Sequence, residues 1–170
     1  VAEPYLATVI LFGGLLQAGA SDAVREDYVP RIIAGELQGA FAYLERHSRY
    51  AMTDIVTRAH QRGDQWVVNG EKTVVLNGGA AQKLIVAARS TGAQADAAGI
   101  TLLLVDTNSV GIQRTVYRMT DGAEAVNITF KDVTAEAVIG TVGDGYAVME
   151  PVVDAARLAR QIDAIDKINA

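Results

Sequence analysis

The chain has 170 residues, of which 50% are hydrophobic and 21% are charged. This composition predicts a folded domain with a substantial core and excludes a disordered chain. Twenty acidic residues against 15 basic ones give a net charge of −5, and no basic cluster is present, which argues against a nucleic-acid surface. The absence of cysteine excludes disulfides, thiol nucleophiles and zinc thiolate sites, and two histidines do not indicate a metal centre.

The first apolar run, from Leu6 to Leu16, predicts a buried helix. Pro4 suits the first turn of this helix and Gly19 its end. The run has roughly half the length that crosses a bilayer, so we expect no membrane insertion. No basic leader marks the chain for export, and we expect a cytoplasmic protein. A second helix, with apolar residues at helical spacing, is predicted to end near Gly35.

From about residue 38 to residue 139 the apolar residues recur with a period of two, which predicts strands. The predicted strands are Gln38–Leu44, Ile55–Gln61, Trp66–Asn69, Thr73–Leu76, Leu84–Arg89, Ile100–Val105, Ile112–Tyr117 and Ala125–Lys131. Helical spacing returns after Gly145. We therefore predict an α+β chain: a mainly β middle domain, forming an antiparallel β-sandwich or barrel, with helical segments at both ends.

The dipeptide formed by Asn69 and Gly70 lies between two β-rich runs. This pattern predicts a two-residue turn that folds the strand at 73–76 back on the strand at 66–69. Glu71–Lys72 then belongs to a solvated turn. Local sequence alone favours a purely structural hairpin, and the wall of a ligand site is the alternative.

The order of the motifs resembles the middle domain of acyl-CoA dehydrogenases. The motifs that carry the resemblance are Leu44-Glu45-Arg46, Thr53-Asp54, Asn69-Gly70-Glu71-Lys72, Asn77-Gly78-Gly79 and Gly143-Asp144-Gly145-Tyr146. The loop residues Ser48-Arg49-Tyr50 are similar to the small-subunit, pimeloyl-CoA dehydrogenase-like type. The resemblance implies the end of an N-terminal helical domain over 1–37, a middle β domain over 38–145 and the start of a C-terminal helical domain over 146–170.

What the resemblance implies is oxidation of an acyl-CoA thioester to the 2,3-enoyl-CoA, with hydride transfer to FAD. The family's catalytic base lies in the C-terminal helical domain, so no catalytic residue is assigned here. The cofactor-binding positions that match are Tyr43, Leu44 and Glu45, through their backbone, together with Val74 and Leu76. Leu44 and Leu76 replace hydroxyl residues of typical members, and Val74 replaces an aromatic ring.

The same resemblance implies that Arg46, Arg49 and Thr53 contact the substrate. Guanidinium groups bind phosphates or a distal carboxylate through paired hydrogen bonds, although an exposed loop with two solvated arginines fits the pattern equally well. The implied partners are an acyl-CoA substrate, another acyl-CoA dehydrogenase subunit in a homo- or hetero-oligomer, and an electron-transfer acceptor protein. Two alternatives remain open, namely a noncatalytic partner subunit with the same fold and a β-sandwich binding module unrelated to flavin.

Overall fold

The N-terminal part of the chain folds as the predicted pair of helices. In the computed structural model, which describes residues 4–120 and 122–168, a π-helical segment Tyr5–Gly13 continues directly into helix α1, Gly14–Gly19. Helix α2 covers Asp22–Ile33, and the Ser21 hydroxyl caps it by accepting a hydrogen bond from the Val24 amide. The predicted burial of the first helix is confirmed, because Phe12, Leu15 and Leu16 are fully inaccessible to solvent.

The middle of the chain is a sheet. Over the described residues its eight strands are β1 (Gly39–Ala42), β2 (Arg58–Arg62), β3 (Gln65–Leu76), β4 (Lys83–Arg89), β5 (Ile100–Asp106), β6 (Ile112–Arg118), β7 (Glu124–Thr134) and β8 (Ala137–Ile139). Helix α3, Gly145–Ile168, follows the sheet. None of the helices in the described part of the chain is both long enough and apolar enough to cross a membrane.

The strand order is β6-β7-β3-β2-β4-β5-β8, with β1 added beside β4. The predicted mainly β domain with helices at both ends is therefore confirmed, but the sheet is mixed and does not close into a barrel. Most neighbours are antiparallel, whereas β1 and β2 both run parallel to β4. All four residues of β1 are buried, as expected for a strand with parallel pairing and both faces covered.

Strand β4 separates two hydrophobic clusters, because its side chains alternate between the two faces of the sheet. Leu84 and Val86 pack into the cluster formed within the curved sheet. Ile85 and Ala87 pack into the second cluster, which includes Phe12 and the inner faces of the helices. The helices are thus fixed against one face of the sheet by apolar burial.

The predicted turn at Asn69 and Gly70 is wrong, because β3 runs unbroken from residue 65 to residue 76. The β2–β3 hairpin turns instead at Gly63 and Asp64, and Gly63 has a φ of 64°. Gly70 has a φ of 143° and lies at a bulge against β7, where a Cβ atom would come 2.7 Å from the Cα of Thr57. Gly70 is needed for this close approach and not for a hairpin.

Candidate functional site

A cavity of about 170 Å³ lies between the end of β1, the end of β3 and helix α3. Its lining residues are Leu11, Phe41, Tyr43, Leu44, Val74, Leu76, Met119 and Arg160. The structure therefore brings together four of the predicted cofactor residues, Tyr43, Leu44, Val74 and Leu76. A neighbouring cavity of about 130 Å³ shares part of this lining and extends along α3 to Val153.

The wall formed by Tyr43 and Leu44 is attached to β3 by backbone pairing. The amide of Thr73 donates to the Leu44 carbonyl at 2.9 Å. The rings of Phe41 and Tyr43 stack with centroids 4.8 Å apart and 17° between their planes. This side of the cavity is thus a fixed aromatic and aliphatic surface.

The opposite wall depends on a bulge in β3. The pairing with β7 shifts between Lys72 and Val75, and Val74 adopts a φ of 53°. Because the bulge moves the alternation by one residue, Val75 enters the core while Val74 and Leu76 line the cavity. A left-handed conformation costs a β-branched residue about 1–2 kcal/mol. Asn127 holds the bulge, since its side-chain oxygen accepts from the Thr73 hydroxyl at 2.7 Å.

The side chain of Glu45 does not line the cavity. It is 2% exposed and forms an ion pair at 2.7 Å with Lys72, whose side chain is 0% exposed. The Glu45 carboxylate also accepts from the amides of Val56 at 2.9 Å and Thr57 at 3.1 Å. Lys72 in turn donates to the Tyr43 carbonyl at 3.3 Å. The predicted solvated turn at Lys72 is therefore wrong, because this lysine is a buried tie between β3 and the cavity wall.

The charges of this pair influence each other. Burial lowers the pKa of Lys72 to about 8, although the carboxylate of Glu45 acts in the opposite direction. Burial alone would raise the pKa of Glu45, but Lys72 and the hydrogen bonds from the 56–57 segment outweigh it, so that this pKa is lowered. Burial raises the pKa of Tyr43, against the opposing charge of Arg157, and its hydroxyl stays neutral. For Glu45 and Lys72, burial therefore opposes the charged form of each group and their mutual attraction favours it.

The three predicted substrate residues lie in the loop between β1 and β2, residues 43–57, and none of them lines the apolar cavity. Arg46 and Arg49 are exposed. Arg46 borders a separate small cavity of about 40 Å³ together with Thr73 and Asn127. The carbonyl of Thr53 accepts a hydrogen bond at 2.8 Å from Arg89, a residue that the sequence did not single out.

The lining of the 170 Å³ cavity fits the apolar face of a planar ring system such as isoalloxazine. Its polar side chains are the Tyr43 hydroxyl and the Arg160 guanidinium, whereas Leu44 and Leu76 offer no donor. Cofactor pockets usually enclose at least about 300 Å³, so a flavin ring needs both neighbouring cavities. The residues fit the ring's surface with fewer side-chain hydrogen bonds than the family's usual hydroxyl residues supply.

Comparison with known proteins places the chain in a family. The family model described as acyl-CoA dehydrogenase, middle domain, matches residues 40–133. Acyl-CoA dehydrogenase FadE29 of Mycobacterium tuberculosis is 30% identical over 142 residues, which cover 82% of this chain and 37% of that protein. The chain belongs to the acyl-CoA dehydrogenase family. It spans little more than a third of the length of the curated relatives that it matches.

Solved structures agree with this assignment. A probable acyl-CoA dehydrogenase from Mycobacterium abscessus superposes with a TM-score of 0.77 at 29% identity, over 85% of this chain and 39% of that one. A chain of the ChsE4-ChsE5 complex from Mycobacterium tuberculosis superposes with a TM-score of 0.82 at 24% identity, over 91% of this chain and 40% of that one. The second similarity shows the fold alone.

Proposed function

We propose that this chain is the middle β domain, with adjoining helical segments, of a flavin-dependent acyl-CoA dehydrogenase subunit that oxidises an acyl-CoA thioester to the 2,3-enoyl-CoA. The observation that carries the proposal is that the 170 Å³ cavity is lined by Tyr43, Leu44, Val74 and Leu76, positions that the family resemblance assigns to the flavin. The domain boundaries near residues 38 and 145 belong to the same proposal. The family model's match to residues 40–133 supports them.

The role of this chain is to bind and to orient. When bound, FAD supplies the hydride acceptor of the reaction. Tyr43 and Leu44 on one wall, and Val74 and Leu76 on the other, hold the ring and exclude water from it. The exposed Arg46 and Arg49, with Thr53, bind the phosphates of the coenzyme A moiety through charge-assisted hydrogen bonds. No residue of this chain is assigned as the proton-abstracting base.

A second candidate function is a noncatalytic partner subunit in a heteromeric acyl-CoA dehydrogenase. The observation that favours it is the absence of hydrogen-bond donors from the side chains of Leu44, Val74 and Leu76. Two side-chain hydrogen bonds and one ring stack, each worth about 0.5–1.5 kcal/mol, are missing relative to typical members. Together they weaken flavin binding by about one to three orders of magnitude.

Flavin content distinguishes the two functions. The protein is expressed at its natural length, alone and together with its neighbouring dehydrogenase subunit, and flavin absorbance is recorded after desalting. Stoichiometric flavin in the isolated protein supports a complete enzyme subunit. Flavin in the mixed assembly alone supports the partner-subunit function, and no flavin in either sample refutes the flavin site.

A gain-of-function variant tests the cavity itself. Leu76→Thr restores a hydroxyl at the cavity wall, and we expect FAD to bind about 2- to 10-fold more tightly, which is the value of one hydrogen bond. Leu158→Thr on α3 is the matched control, because Leu158 is 58% exposed and does not line the cavity. Equal affinities for the two variants would show that Leu76 does not face the flavin.

A further inference from the structure

Arg89, the last residue of β4, is fully buried and joins two loops. Its guanidinium group donates only to backbone carbonyls among the described residues. The acceptors are Thr53 and Asp96 at 2.8 Å, Ala98 at 2.9 Å, Gln94 at 3.0 Å, and Ile55 and Thr91 at 3.4 Å. An arginine has five N–H donors in one rigid plane, so it serves these six carbonyls with some donors shared between two acceptors, whereas a lysine has only three donors on one atom.

The carbonyls belong to residues 91–98 and to residues 53–55, and further contacts join these two loops. The amide of Ile55 donates to the Gln94 carbonyl at 3.1 Å. The Gln94 side chain donates to the Asp54 carboxylate at 2.6 Å, and His47 lies 3.2 Å from the same carboxylate. Contacts from Arg89 therefore continue along the 43–57 loop to His47, the residue that follows Arg46.

We infer that Arg89 is a positioning residue for the coenzyme A moiety of the substrate. By holding the Thr53 carbonyl and the Gln94 loop, it fixes the backbone from which Arg46 and Arg49 reach the phosphates. Both arginines are exposed and lie on a loop without regular structure, so their approach to a ligand depends on how that loop is anchored. The inference rests on the proposed function, since it assumes that this loop binds an acyl-CoA.

The experiment compares Arg89→Lys, Gln94→Ala and the control Arg62→Met in the protein at its natural length. Arg62 is 63% exposed and pairs with Asp132 at the surface, so its removal leaves the loop intact. The dissociation constant for coenzyme A itself is measured by calorimetry well below the melting midpoint, and hydrogen exchange is followed at residues 53–57 and 90–99. We expect about tenfold weaker binding for Arg89→Lys, about threefold for Gln94→Ala and no change for the control.

The outcomes separate the inference from the function on which it rests. Absence of coenzyme A binding by the unaltered protein refutes the substrate loop and, with it, the role of Arg89. If the unaltered protein binds coenzyme A, and the Arg89→Lys variant is folded and binds it equally well, the inference is refuted while the proposed function stands. A purely structural arginine would lower the melting midpoint, leaving the dissociation constant unchanged. If Arg89→Lys does not fold, Gln94→Ala decides, because Gln94 is exposed and its side chain joins the two loops through Asp54. Unchanged coenzyme A binding by this variant would refute the inference that the anchoring of the loop controls binding.

Discussion

Replacing Lys72 by methionine tests whether the buried ion pair holds the cavity wall. The substitution keeps an unbranched side chain in a fully enclosed position but leaves the Glu45 carboxylate, 2% exposed, without its cation. Two backbone amides remain as donors to that carboxylate, at 2.9 and 3.1 Å. They do not neutralise its charge, and an isolated buried charge is costly.

The expected loss is about 3–5 kcal/mol, the usual cost of removing one partner from a buried pair. A typical domain has a free energy of unfolding of about 5–15 kcal/mol, so the expected loss is a large fraction of it. For a chain of this length it corresponds to a fall of about 6–20 °C in the melting midpoint. The double variant Glu45→Gln/Lys72→Met removes both charges, and we expect it to recover most of the loss because an uncharged pair of similar shape is often neutral.

The assay is urea unfolding of the four members of this double-mutant cycle, followed by fluorescence of Trp66, the single tryptophan of the chain. The exposed pair between Arg62 and Asp132 provides the control, and Arg62→Met should cost at most about 1 kcal/mol. A Lys72→Met variant within about 1 kcal/mol of the unaltered protein would refute the reasoning. So would a double variant that is as unstable as the single one.

Further predictions concern the backbone, the pH dependence and the activity. Gly70→Val should destabilise the chain by about 1–3 kcal/mol in urea unfolding, because the added Cβ would clash with Thr57. The control Gly35→Asn should leave the stability unchanged, since Gly35 has a φ of 74° and open space around it. Val74→Gly should be at least as stable as Val74→Ala, which reverses the usual order in strands and measures the strain at a φ of 53°. The pKa of Glu45 in the folded protein lies below its ordinary value of 4.5, so the stabilisation by this carboxylate should be present above pH 4.5 and disappear as the pH falls through the folded pKa. A coupling energy between Glu45 and Lys72, measured in the double-mutant cycle, that is equal at pH 3 and pH 7 would contradict this. The 170-residue chain alone should show no dehydrogenase activity in an acyl-CoA assay with an artificial electron acceptor, and turnover would show that it contains a base.

The sequence predicts the strands better than it predicts their connections. The bounds of β4, β5 and β6 lie within one residue of the predicted strands at each end. Strong apolar runs mark β4 and β5, which are almost wholly buried, whereas β6 is marked by β-branched and aromatic residues on an exposed strand. The turn at Asn69 and Gly70 failed because a local turn signal competes with pairing to β7, a strand more than 50 residues away, and the long-range pairing prevails. Local patterns contain no information about that partner.

For the candidate site, too, the sequence indicates some of the residues and misses others. Tyr43, Leu44, Val74 and Leu76 were assigned through the family resemblance, and the structure brings them together. Lys72 was missed because a lysine beside a glutamate in sequence is usually solvated, and its true partner lies 27 residues earlier in the chain. If residues 65–76 are taken as a single strand, the alternation of side chains places Lys72 on the same face as the apolar Val68. That pattern is the signal in the sequence that could have indicated the burial of Lys72.

Among the described residues, the buried cations Lys72 and Arg89 anchor opposite ends of the loop between β1 and β2. Lys72 holds its start through the Tyr43 carbonyl and Glu45, and Arg89 holds its end through the Thr53 carbonyl. They lie close enough that the charge of Arg89 contributes to the lowered pKa of Lys72. The start of the loop forms the apolar cavity, and the part that follows carries the exposed arginines. Loss of Lys72 should therefore act first on flavin binding, whereas loss of Arg89 should act first on coenzyme A binding, since each cation fixes a different part of one continuous segment.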